Sequence, residues 1–291
     1  MKELTILSGK GGAGKTTIVA ALASLAKNVV YCDNDVDASD LHLIFKPEVK
    51  EMYPFDSGSK AVIDTKNCNN CGLCSDYCRF DAIHPNSSGH YEVNPFQCEG
   101  CRLCERVCHA ESITMIENKN NHWFIFETRF GTLVHAKMSP GEENSGKLVT
   151  QVRRKAKEIA KSINADYIIN DGPPGIGCSA IASITGSGLI LLVIEPTLSG
   201  LHDAVRLAEL VDSFKIPVLA VINKFDINLE ITVQVEKFLA EREIPLAGKI
   251  PYNTKMVESI VKGKTFIEFA PDDKTCKELE LVWERISLNR N

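Results

Sequence analysis

The chain predicts an α/β protein with a doubly wound, mostly parallel sheet, interrupted by a smaller inserted α+β unit. Three observations carry that prediction. A short apolar strand, LTIL at 4–7, runs through the glycine-rich loop SGKGGAGKTT at 8–17 into an alanine-rich helical run, TTIVAALASLA, and NVVYC then reads as a second strand. Strand, loop, helix, strand is how a parallel sheet begins. That rhythm stops near residue 60 and resumes near 120, where ADYIIND, SGLILLVIEP, IPVLAVINKFD and IPLAGKIPYN read as later strands alternating with helical segments. Between the halves lies an internal repeat: Cys68, Cys71, Cys74 and Cys78 recur thirty residues on as Cys98, Cys101, Cys104 and Cys108. The expected division is therefore 1–60 with 120–291 for the sheet, and 61–119 for the insertion.

Composition sets the outer limits. With 291 residues, 44% hydrophobic and 24% charged, the chain can bury a sizeable core. A net charge of -5 and a pI near 5.9 give no basic surface for a polyanion, so no nucleic-acid partner is expected. The glycine loop starts at residue 9, which leaves no room for a signal peptide, and the longest apolar runs fall far short of the roughly 20 residues of a membrane span. A cytoplasmic protein is expected. Eleven cysteines in that compartment point to metal rather than disulfides.

The loop has its own chemistry. Glycines at 9, 11, 12 and 14 let successive amide N–H groups and the following helix N-terminus converge on a phosphate. Gly11, Gly12, Ala13, Gly14, Lys15, Thr16 and Thr17 are the candidate nucleotide contacts, with Lys15 reaching the β- and γ-phosphates and Thr16 placed to ligate Mg2+. Beyond the second strand, Asp33, Asp35 and Asp37 cluster where ligands sit in open α/β sheets. The apolar run into Asp171 fits a carboxylate that neutralises Mg2+ in phosphate-loop enzymes. Helical spacing places Leu148, Val152, Ile159 and Ile163 on one helix face, with Asn144 or Ser145 as N-cap. Leu279, Val282, Trp283 and Ile286 line a terminal helix expected to dock on the core, so no stable membrane anchor is expected.

The string KGGAGKTT at 10–17 resembles the deviant Walker A ATPases, among them MinD, ParA, the Mrp-type carriers and the nitrogenase iron protein. That resemblance implies an ATPase that forms a homodimer on ATP binding and hydrolyses slowly without a partner. It implies that Lys10 crosses the interface to the nucleotide of the other subunit, where a cation offsets charge developed in phosphoryl transfer. Asp33 is aligned with the residue that orients water, with Asp35 competing for that role, and Asp37 with the metal partner. Asn223 in VINKFD and Pro251 in KIPYN match base-contacting positions, which favours ATP. Cys178 lies seven residues after Asp171, the spacing of an intersubunit cluster ligand in the nitrogenase iron protein, and could hold or pass on iron and sulfur.

C-x2-C-x2-C-x3-C, present twice, is the pattern that binds two 4Fe-4S clusters, the fourth cysteine serving the other cluster. Cluster one then takes Cys68, Cys71, Cys74 and Cys108, and cluster two takes Cys98, Cys101, Cys104 and Cys78. Zinc spacings instead come in well-separated pairs. The stretch resembles a bacterial two-cluster ferredoxin, except that the usual proline after the fourth cysteine is Arg79 in one repeat and His109 in the other. Nearly the whole chain resembles MinD-superfamily ATPases with an inserted ferredoxin domain. The expected cofactors are ATP, Mg2+ and two 4Fe-4S clusters, and the expected activity is nucleotide-gated electron delivery to an acceptor metalloprotein. An assembly ATPase serving a client metalloprotein, and a MinD-like positioning protein, are the alternatives. Glu142 and Glu143 have no assigned role, beyond a suggested place facing the partner or the insertion.

Overall fold

The computed structural model describes residues 1–55, 58–117, 121–138 and 145–289. The chain opens with β1 (Lys2–Ser8), α1 (Lys15–Ala23), β2 (Val29–Asp33), α2 (Leu41–Phe45) and β3 (Glu48–Phe55). Every residue of β2 is buried, the pattern of a strand covered on both faces. Strands β4 (Ser59–Ile63), β5 (Ile83–Pro85), β6 (Tyr91–Val93) and β7 (Ile113–Glu117) follow, with short helices α3 (Leu73–Asp76) and α4 (Leu103–Val107). The main sheet resumes with β8 (Asn121–Thr128) and β9 (Gly131–Lys137). After them come α5 (Ser145–Ser162), β10 (Tyr167–Pro174), α6 (Cys178–Ile184), β11 (Leu189–Ile194), α7 (Leu198–Asp212), β12 (Val218–Asn223), α8 (Leu229–Glu241), β13 (Leu246–Ile250), α9 (Thr254–Val261), α10 (Phe266–Phe269) and α11 (Lys274–Leu288).

Two compact units result. One comprises Met1–Met52, Trp123–Lys137 and Gly146–Asn291, the other Tyr53–His122 and Met138–Ser145. The nine-stranded sheet has the order β13-β12-β11-β1-β10-β2-β9-β8-β3, and the pairs from β13 through to β9 are parallel. The strand order reverses beside β1, so the loops after β1, β2 and β10 open a crevice at their carboxyl ends. One core face gathers Ile18, Leu22, Tyr31, Phe45, Leu279 and Val282; the opposite face gathers Leu7, Ile190, Leu207, Val211 and Val235. Beneath the sheet, the buried Glu3 carboxylate accepts bonds from Arg153 Nε and Asn170 Nδ2 at 3.0 Å each, and Lys157 Nζ lies 2.8 Å from its other oxygen.

Two helix faces can be compared with the expectation. The buried stripe of α5 runs through Leu148, Val152, Ala156 and Ala160; Ile159 is half-buried and Ile163 is 48% exposed. The helix ends at Ser162, so Ile163 lies beyond it and the stripe continues on alanines. Ser145 opens the helix, while Asn144, Glu142 and Glu143 lie outside the described residues. In α11, Leu279, Val282 and Ile286 are buried and Trp283 packs its ring 5.1 Å from that of Tyr167. Among the described residues no helix is long and apolar enough to cross a membrane.

The second unit is built on two antiparallel pairs, β4 with β7 and β5 with β6. Its small core consists of Ala61, Ala82, Ile83 and Ile113 together with Cys74 and Cys98.

Candidate functional site

The loop after β1 is shaped for an anion. Gly14 caps α1 in the left-handed region at φ 95°, no side chain caps that helix, and its first turn carries no acid. The first-turn N–H groups are therefore left for an external acceptor. Gly11 and Gly12 are exposed, and added Cβ atoms there would meet nothing within 4 Å. Ala13 and Lys15 are buried; Thr16 and Thr17 are half-buried. From the end of β12, Asn223 Nδ2 donates to the Ala13 carbonyl at 2.7 Å and Lys224 Nζ to that of Gly12 at 3.1 Å. A Cβ on Gly14 would come within 2.3 Å of Asn223 Nδ2, so glycine is required there on two counts. Asn223 Oδ1 stays buried without a partner, and Pro251 lines a separate open cavity with Asn253, Lys255 and Asp273.

Lys10 points back into its own chain. Its Nζ donates to Thr197 Oγ1 at 2.9 Å and lies 3.7 Å from Glu195 Oε2. Lys224 Nζ lies 3.4 Å from that same carboxylate oxygen. Sequence reasoning missed Glu195, although an acid directly after the wholly buried strand β11 marks the ligand-bearing edge of a parallel sheet.

The carboxylates differ sharply. Asp33 is fully buried; its Oδ1 accepts from the Asp35 N–H at 3.2 Å and its Oδ2 from the Leu41 N–H at 3.3 Å. Burial, then the neighbouring Asp35, pushes its pKa up. Asp35 is half-buried, and burial raises its pKa to about 6 against the pull of Lys15. Asp37 is exposed, with its pKa raised by partial burial. Asp171 is 1% exposed and neither carboxylate oxygen has a hydrogen-bond partner of good geometry. Burial and then Asp33 push its pKa up to about 8, opposed by Lys15 and the nearby Thr16 hydroxyl. An uncompensated buried carboxylate beside the loop threonine fits a cation, because leaving such a charge unpaired costs several kcal/mol, about 3–5.

Behind these acids stands an aromatic wall. His135 packs 4.7 Å from the His42 ring and 5.6 Å from Phe126, with its Nδ1 3.8 Å from Asp33 Oδ2. Burial, then Lys137, drives its pKa down to about 4.

In the second unit the eight repeated cysteines surround two small cavities. Cys68, Cys71, Cys74 and Cys108 line one with Ile63, Leu73 and Ile113; Cys78, Cys98, Cys101 and Cys104 line the other with Ala61, Phe80 and Met115. Cys71 and Cys101 are exposed, Cys74 and Cys98 buried. Among the described residues no group of three or more His, Cys, Asp or Glu is set closely enough for a single metal ion. Four thiols spread around an apolar cavity, with backbone N–H groups directed at sulfur, form a donor set that fits the wider 4Fe-4S cube. Cys178 is exposed at the start of α6, while Cys32 and Cys276 are buried.

A bare helix N-terminus behind a glycine loop, a buried lysine and a buried orphan acid on the adjacent strand define a phosphate-loop nucleotide site. Residues 4–266 match the CobQ/CobB/MinD/ParA nucleotide binding domain, and the chain belongs to that family as a MinD/ParA-type P-loop ATPase. Uncharacterized protein MJ0578 of Methanocaldococcus jannaschii is 36% identical over 231 residues, covering 78% of this chain and 79% of that protein. The septum site-determining protein MinD of Synechocystis is 24% identical over 272 residues, 91% of this chain and 81% of that protein. The fold matches that of MinD from Pyrococcus horikoshii, solved with Mg-ADP, at a TM-score of 0.60 and 17% identity over 99% of this chain and 96% of that one. A stretch of 60 residues is 25% identical to pyruvate synthase subunit PorD of M. jannaschii, 21% of this chain and 70% of that protein.

Proposed function

We propose that this chain is an ATP-hydrolysing homodimeric iron–sulfur protein, in which nucleotide state governs electron transfer from two 4Fe-4S clusters to an acceptor metalloprotein. The observation that carries the reading is the joining, in one chain, of a phosphate loop and two cavities each ringed by four cysteines. The cysteine-bearing segment, residues 61–119, acts as the inserted ferredoxin-like domain, with 1–60 and 120–291 as the ATPase.

In the ATPase, the first turn of α1 and Lys15 bind the β- and γ-phosphates, and the buried Asn223 keeps the loop in shape by bonding the Ala13 carbonyl. Thr16 and Asp171, with the exposed Asp37 beyond them, would hold Mg2+, which when bound would supply charge neutralisation for phosphoryl transfer. Asp35 orients the attacking water. Asp33 is closed off by the Asp35 and Leu41 N–H groups, so its task is to fix the course of the loop that presents Asp35. Asn223 and Pro251 contact the adenine base, which requires the buried Asn223 Oδ1 to be uncovered and the base to reach the open cavity that Pro251 lines. Lys10 leaves Glu195 and Thr197 to reach the triphosphate of the partner subunit, which makes each site incomplete alone.

In the inserted domain, Cys68, Cys71, Cys74 and Cys108 bind one cluster and Cys78, Cys98, Cys101 and Cys104 the other. When bound, the clusters would supply one-electron chemistry; the linings bury Cys74 and Cys98, while Cys71 and Cys101 leave one edge of each cavity open to solvent. A second reading, a cluster-assembly ATPase, draws on the exposed Cys178. A MinD-like positioning role draws on the fold; the apolar face of α11, however, is buried and not offered to a membrane.

The test is anaerobic purification with iron and sulfide measured per chain, then sizing with and without ATP. About eight iron and eight sulfide per chain are expected, with a dimer only in ATP. A colourless protein, or one that stays single-chained in ATP, refutes the proposal. Lys10→Ala should bind ATP yet fail to hydrolyse it, and transfer of iron lost in Cys178→Ala would favour the assembly reading.

A further inference from the structure

The two cysteine quartets end in the same turn, which makes one an internal control for the other. In the first, the Ala82 N–H donates to Cys78 Sγ at 3.4 Å after Asp81 in the left-handed region at φ 51°. In the second, the Ser112 N–H donates to Cys108 Sγ, also at 3.4 Å, after Glu111 at φ 49°. Both fourth-position residues are buried, Ala82 at 1% and Ser112 at 3% exposure. They differ in one group. Ser112 Oγ lies 3.2 Å from Cys108 Sγ, and Ala82 has no atom to match it.

A thiolate sulfur bound to iron has no hydrogen to give, so in the loaded protein the hydroxyl must be the donor. Burial keeps water from competing for that hydrogen. A donor aimed at a ligand sulfur stabilises the added negative charge of the reduced state, and hydrogen bonds to sulfur are among the determinants of cluster potential. We infer that the Ser112 hydroxyl raises the reduction potential of the cluster held by Cys68, Cys71, Cys74 and Cys108, and so makes the two centres inequivalent. This rests on the two-cluster reading above. The other cavity has its own cations: Lys60 Nζ donates to the Cys98 carbonyl at 2.7 Å, and Arg102 is part of the lining. Those charges are untouched by a change at 82 or 112, so the contribution of the hydroxyl is read as a shift between variants.

The experiment is an anaerobic redox titration of the full chain with dithionite and mediators, followed by electron paramagnetic resonance, after iron and sulfide have been counted in each sample. Each wave takes one electron from dithionite, and the hydroxyl keeps its proton. Ser112→Ala should move one wave to more negative potential by about a tenfold change in the reduced-to-oxidised ratio, which is about 59 mV for one electron, and leave the other in place. Ser112→Thr should restore it. Ala82→Ser should move the other wave the opposite way, and it tests the idea even where Ser112→Ala loses its cluster. Unshifted waves in fully loaded Ser112→Ala and Ala82→Ser proteins, or equal movement of both waves, overturn the inference while leaving two clusters in place. Failure of the unmodified chain to hold two clusters overturns the reading beneath it, and the inference with it.

Discussion

The contact between Lys10 and Glu195 makes a quantitative demand on dimerisation. If Lys10 serves the nucleotide of a partner, its bonds to Glu195 and Thr197 must break first, and Glu195→Gln should lower that cost. The Lys10 side chain is 27% exposed and that of Glu195 16%, at a separation of 3.7 Å. A partly exposed pair of this kind contributes up to about 1 kcal/mol. Each of the two protomers releases one lysine, so the substitution should favour the ATP-bound dimer by up to about 2 kcal/mol, roughly 30-fold in its dissociation constant. Glutamine retains the size of the side chain and an acceptor for Lys224, which bonds the Gly12 carbonyl independently. Sedimentation velocity with Mg2+ and a non-hydrolysable ATP analogue measures the constant directly. An unchanged or weaker dimer refutes the idea that Glu195 holds Lys10 back.

Further outcomes follow from the buried charges. Because burial holds the Asp171 pKa up at about 8, ionising that carboxylate disfavours the fold as pH rises from about 4. Asp171→Asn should therefore raise the melting temperature in EDTA, yet lose the extra stability that Mg2+ with ADP gives the unmodified chain; scanning fluorimetry reads both. His135 titrates near 6.5 when unfolded and at about 4 when folded, so its contribution is complete above about pH 6.5 and is lost as pH falls toward 4, by up to about 3 kcal/mol. Urea midpoints of His135→Phe should fall less between pH 7 and pH 4.5 than those of the unmodified chain; an equal fall refutes the assignment. Glu3→Ala strands the Arg153 guanidinium, itself 5% exposed, and should cost about 3–5 kcal/mol in urea unfolding.

What the residues alone disclose is whatever local chemistry forces. The glycine loop was legible because a backbone that wraps a phosphate needs glycines at fixed steps before a helix, and the α/β sheet because strands β11 and β12 are near-continuous apolar runs. The grouping of Cys108 with Cys68, Cys71 and Cys74 around one cavity follows a spacing rule and needs no coordinates. Decisions among near neighbours were not legible. Asp33, Asp35 and Asp37 alternate in sequence, and only the N–H groups of Asp35 and Leu41 folding back on Asp33 at the end of β2 distinguish the closed carboxylate from the half-open one. The α5 stripe was misread for a related reason: Ala156 and Ala160 carry little apolar signal, yet both are buried on the face that Leu148 and Val152 begin. Glu195 belongs to the same class, since its partner Lys10 is far away in sequence and meets it only because β1 and β11 are adjacent. Ser112 is the sharpest instance. The repeat aligns it with Ala82 by counting alone, but a serine four residues after a cysteine is unremarkable until the turn brings its hydroxyl to 3.2 Å from the sulfur. Periodicity identifies equivalent positions, and differences between them acquire chemical meaning only once the shared backbone is known.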